Sequence, residues 1–161
     1  MNWLKWFRPA PEMLTSLLYD ESTFYQAFMH DLQRCERELI IESPFVTSSR
    51  METLYPIFKR ILDRGIKIYI ITRDPSDHDE TIRHQATNEI LFATEMGINV
   101  VLLRGNHHRK LAIIDRKVSW EGSLNILSQG NSKEIMRRIE SKGMAEELIS
   151  FLKLDKLNGI R

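Results

Sequence analysis

Apolar residues fall at helical spacing in one stretch of the chain and in short unbroken runs in the next, and this change of rhythm repeats. Between about Glu21 and Arg37, Phe24, Ala27, Phe28, Leu32 and Cys35 recur every three or four residues with charged residues between them, which predicts a helix with one buried face. Glu38 to Ser43 reads Glu-Leu-Ile-Ile-Glu-Ser, a short β-branched apolar run stopped by Pro44, and predicts a buried strand. Residues 49 to 64 return to helical spacing. Pro56 has no N–H to donate, so that helix should begin late or kink there.

The phrase then recurs. Gly65 leads into Ile66 to Thr72 and Gly97 into Ile98 to Leu103, each glycine placed to take the left-handed cap from which a helix gives way to a strand. Strands alternating with helices imply crossover connections and an α/β fold, with a mixed, largely parallel sheet and helices on both faces. From Asn106 the rhythm changes. Lys110 to Ile114, Lys117 to Trp120 and Ile135 to Ile139 read as strands close together in sequence, Asp115-Arg116-Lys117 as a hairpin turn, and Ala145 to Leu154 as a last helix. This organisation predicts one domain over residues 1–161, with a core at about 20–154 and residues 1–19 as an N-terminal extension.

Composition narrows the function classes. Lys and Arg total 23 against 22 Asp and Glu, so a net charge of +1 supplies no overall field for a polyanion, and any affinity for phosphate must be local. Cys35 is the single cysteine, which excludes an internal disulfide and fits a reducing cytoplasm. No run approaches the roughly 18 apolar residues that span a bilayer, so no stable membrane association is expected. Trp3, Trp6 and Phe7 near the start suit a membrane interface or, better, packing against the protein itself or a partner subunit.

The chemistry is concentrated late in the chain. Residues 108 to 125 read His-x-Lys-x4-Asp-x6-Gly-Ser-x-Asn. One residue separates His108 from Lys110, and one separates Ser123 from Asn125; on extended backbone each pair leaves the same face. Two such pairs meeting across a hairpin would surround one point with an imidazole, an ammonium, a hydroxyl and a carboxamide, a set that suits a phosphate.

In these residues the chain resembles the phospholipase D superfamily, whose motif is matched by His108, Lys110, Asp115, Gly122, Ser123 and Asn125, with Glu134 extending the match. The resemblance implies the fold of that family over about residues 20 to 154. It also implies a metal-independent phosphodiesterase with no cofactor, in which neutral His108 attacks phosphorus and water then hydrolyses the phosphohistidine. Lys110 and Asn125 would hold the nonbridging oxygens, Ser123 would add a hydrogen bond, and Glu134 would hold the other ring nitrogen of His108. Asp115 belongs to the catalytic motif by name, but five residues beyond Lys110 it reads as a brace at the hairpin turn. In this superfamily the proton for the leaving alkoxide comes from the histidine of a second motif. His30, His78 and His84 have no lysine two residues on, and His107 has Arg109 there, so the second histidine is expected from a homodimer.

The small single-motif layout resembles the bacterial nuclease branch, and residues 120 to 128 resemble domains associated with helicases, which together favour DNA over RNA as substrate. Arg104, His107 and Arg109 are candidates for flanking phosphates, the plainer alternative being a solvated strand edge. Of Arg137 and Arg138, neighbours on a strand, one at most can face the site. His78, Asp79, Glu80 and His84 suggest a metal site less than a capped helix start, so no metal site is expected. Two other functions stay open: a nucleic-acid-binding or assembly module without turnover, and a phospholipid phosphodiesterase.

Overall fold

The computed structural model describes residues 14–128 and 130–157; Trp3, Trp6 and Phe7 lie outside them. Within these residues seven strands are joined into one sheet: β1 (Thr15–Asp20), β2 (Glu38–Glu42), β3 (Lys67–Arg73), β4 (Asn99–Leu103), β5 (Leu111–Ile114), β6 (Val118–Gly122) and β7 (Ile135–Glu140), in the order β1-β7-β6-β5-β2-β3-β4. Four α-helices accompany it: α1 (Phe24–Gln33), α2 (Ser48–Asp63), α3 (Glu80–Glu95) and α4 (Lys142–Leu152).

Alternation along the strands sorts side chains between two layers. Leu39 and Ile41 of β2 join a core with Phe24, Phe28 and Leu32 of α1 and Leu54, Phe58 and Ile61 of α2, whereas Ile40 points to the other face and packs with Ala145 and Ile149 of α4. Helices therefore cover both faces, unequally. α2 and α3 close as their glycines predict: Gly65 and Gly97 have φ of 76° and 99°, and the N–H groups of Ile66 and Ile98 reach back to Ile61 O and Ala93 O. Pro56 lies within α2, which starts at Ser48 rather than after the proline.

The sheet is mixed, but its parallel part is smaller than the rhythm predicts. β2, β3 and β4 pair in parallel, and the other four pairings are antiparallel. Parallel neighbours need a crossover of a dozen or so residues, which α2 and α3 provide; after β4 such crossovers give way to shorter returns, and β5 turns into β6 through the three residues Asp115, Arg116 and Lys117. β1 is a second correction, because part of the expected N-terminal extension forms an edge strand, paired with β7 from Thr15 opposite Glu140 to Asp20 opposite Ile135. Five of its six residues are exposed, so backbone pairing rather than an apolar face places it.

Candidate active site

Three strand ends meet at one edge of the sheet. β5 begins, β6 ends and β7 begins there, and the three are neighbours. His108 and Lys110 lie on the extended segment entering β5 rather than inside the strand, although Gly122 N still donates to Lys110 O at 3.3 Å, so the ladder reaches the motif. Ser123 and Asn125 lie on the loop leaving β6, and Glu134 stands one residue before β7. His108, Lys110, Ser123, Asn125 and Glu134 line one open cavity of about 880 Å³.

Gly122 makes this convergence possible. A Cβ at that position would collide with Ile135 O and come within 2.9 Å of Met136 Cα, so the β7 backbone occupies the space that any side chain would need. Ser123 then stitches the loop to β7 twice: its N–H donates to Ile135 O at 3.0 Å and its hydroxyl accepts from Ile135 N at 3.1 Å. Behind the loop, the Tyr25 hydroxyl donates to Ile126 O at 2.7 Å and approaches Asn125 O at 3.3 Å. The buried Asn125 Oδ1 has no partner within the described chain, so that oxygen is not committed elsewhere.

Lys110 Nζ lies 2.7 Å from both the Nδ1 and the carbonyl oxygen of His108. An ammonium can only donate, so in this arrangement Nδ1 presents its lone pair to Lys110 and Nε2 carries any ring proton. Partial burial lowers the pKa of Lys110, and the Glu134 carboxylate opposes that shift. Glu134 is held below the usual carboxylate range by hydrogen bonds from Ser123 and Ser132, the latter at 2.6 Å, with Lys110 adding to the effect. The site thus keeps a cation and an anion beside a histidine without pairing the three into a closed set.

Residues 28–155 match the family described as cardiolipin synthase, PLD-like domain. The chain belongs to the phospholipase D superfamily. Its fold is that of NucT from Helicobacter pylori (21% identity, TM-score 0.70, 87% of this chain and 94% of that one) and of Nuc, a phospholipase D family member from Salmonella typhimurium (15%, 0.70, 92% and 97%). Phosphatidylserine synthase from Haemophilus influenzae is also similar at 14% identity and TM-score 0.70, but the match covers 93% of this chain and 40% of that one. A comparison with curated proteins gives no match.

Within this superfamily framework the other predicted residues fall in different places. Asp115 is away from the cavity, at the β5–β6 turn, where Asp115 and Arg116 have φ of 56° and 53° and Lys117 N donates to Ile114 O at 3.0 Å. Its carboxylate accepts from the backbone N–H groups of Glu36, Arg37 and Glu38 at 2.7–3.2 Å, tying the turn to the α1–β2 connection. Glu134 was expected to hold His108; within one chain Ser132 and Ser123 hold it, and the group against His108 Nδ1 is Lys110.

Of the residues expected to meet substrate phosphates, His107 and Arg109 lie against Glu42, Arg109 also lines the cavity, and Arg104 is exposed with Asp74 3.6 Å away. Arg137 lines the cavity, whereas Arg138 turns to Asp31 of α1 at 2.7 Å, which resolves that pair. His78 packs on Phe45 with ring centroids 5.0 Å apart, and Asp79 caps α3 through Ile82 N. Among the described residues no helix is long and apolar enough to cross a membrane.

Proposed function

We propose that this member of the superfamily is a metal-independent nuclease that cleaves DNA backbones through a phosphohistidine at His108, in an active site completed by a second copy of the chain. The observation that carries this reading is the convergence of His108, Lys110, Ser123 and Asn125 on one cavity. A phosphodiester entering there offers nonbridging oxygens to Lys110 and Asn125, drawing the ammonium off His108 Nδ1. With the ammonium gone, the ring proton moves from Nε2 to Nδ1 through solvent, where a carboxylate can accept it in a hydrogen bond, and the Nε2 lone pair is left for phosphorus; Glu134, kept ionised by its serines, is the candidate on the cavity wall. The N–P bond forms as the bond from phosphorus to the leaving oxygen breaks, and that oxygen takes a proton from His108 of the partner subunit. Water then attacks phosphorus as the N–P bond breaks, giving its proton to the now neutral His108 of the partner subunit, and the phosphomonoester leaves with both histidines restored.

The rim of the cavity supports a second copy. Leu18, Ile135 and Phe151 are 61, 62 and 80% exposed beside the motif, an apolar border that a symmetric partner would cover. The same border would suit a phospholipid, and the likeness to a phosphatidylserine synthase favours that second reading. Nuc and NucT, which the chain matches almost end to end, favour the first. Hydrolysis of plasmid, single-stranded oligonucleotide, RNA and phosphatidylglycerol liposomes, all in excess chelator, separates them. DNA cleavage is expected; cleavage of liposomes alone would overturn the nuclease reading, and binding of DNA without turnover would indicate a binding module.

A further inference from the structure

β2 ends at Glu42 and Ser43 follows it, two polar residues that have no exposure at all. A carboxylate at 0% exposure is costly unless its partners justify it, and burial raises the pKa of Glu42 against the opposing charge of Arg109. Those partners flank the nucleophile. Arg109 donates to Oε1 through Nε and Nη2 at 2.8 and 2.7 Å, and His107 Nε2 lies 2.9 Å from the same oxygen, close in distance though off the line of a good hydrogen bond. Oε2 has no partner within the described chain, which is not the arrangement of a cluster assembled for stability alone.

Ser43 does for the other half of the motif what Glu42 does for the first. Its hydroxyl accepts from Leu127 N at 3.2 Å, two residues beyond Asn125, and Thr47 N donates to Leu127 O at 3.0 Å. Ser43 is itself fixed to the sheet by its N–H, which donates to Ile71 O at 3.0 Å. One dipeptide at the end of a central strand therefore grips the segment carrying His108 and the loop carrying Asn125.

We infer that Glu42 and Ser43 are the positioning residues that set His108 against Asn125, a role that rests on the phosphodiesterase reading of the site. Displacing a reacting group by an ångström costs on the order of 100-fold in rate, so such residues should act on kcat and leave KM nearly unchanged. The test uses the full chain with bis(p-nitrophenyl) phosphate as substrate, together with melting curves and nitrogen-15 spectra of the His108 ring. Glu42→Gln should lower kcat about 10- to 100-fold and Ser43→Ala about 10-fold, with KM within about threefold, at temperatures where both remain folded. The His108 ring signals should shift in both.

Wild-type turnover in both variants, well below their melting temperatures, would overturn the inference while the hydrolase reading stands. If the wild-type chain cleaves no diester, the hydrolase reading falls and the ring spectra decide: unshifted signals overturn the positioning role, shifted ones uphold it. Should Glu42→Gln fail to fold, Ser43→Ala carries the same measurements after the loss of one hydroxyl.

Discussion

His108 and Asp115 share a motif, and if His108 attacks phosphorus while Asp115 braces a turn, substitution separates them. His108→Ala should lower turnover by at least about 1000-fold while leaving salt-sensitive DNA binding in place, as measured by single-turnover cleavage and by titration at several salt concentrations. Asp115→Ala should cost about 2 kcal/mol of stability in a denaturant melt, because three backbone N–H groups lose their acceptor, and should leave kcat within a few-fold of wild type in the folded protein. An Asp115→Ala variant that melts normally but does not turn over would return the carboxylate to the chemistry. The two roles could be told apart in the sequence because Asp115 stands where a turn residue belongs. Glu42 could not be assigned there. Its position inside an apolar strand just before Pro44 was visible, but what a buried carboxylate does depends on Arg109, 67 residues away.

At the scale of elements, the site depends on β6 and β7 lying close enough for their backbones to touch across Gly122. Gly122→Ala should open that contact, costing about 1–3 kcal/mol or more and lowering activity together with stability; a variant as stable as wild type would show that the two strands have room to part. Tyr25→Phe probes the same loop from behind. It should cost about 1 kcal/mol and reduce kcat modestly, since the hydroxyl that holds Ile126 O is lost while the ring stays packed against Phe24. Most elements were legible because they bury one face: α1, β2 and β3 announce themselves by apolar spacing. β1 did not, since its side chains are largely exposed and its stability comes from pairing with β7. The share of antiparallel pairing was also hidden, because spacing locates strands but leaves their neighbours open.

For the whole molecule the decisive number is how many histidines one reaction uses. If each site takes one His108 from each of two subunits, a heterodimer of wild type and His108→Ala has either no nucleophile or no proton donor and is inactive. Equal amounts of the two chains, mixed under denaturing conditions and refolded together, should then give about one quarter of wild-type activity per total chain, the statistical share of wild-type homodimers; independent sites would give about one half. Across the full range of mixtures the shared site predicts a square-law curve and the independent site a straight line. Dilution gives a second measurement on the same claim. Specific activity should fall below the concentration at which sedimentation shows dimers giving way to monomers, and replacing Phe151 on the apolar rim with Glu should raise that concentration, since the residue is 80% exposed in the single chain. A straight mixing line, or a monomer with full activity at every dilution, would mean that the proton reaches the leaving oxygen from within one chain.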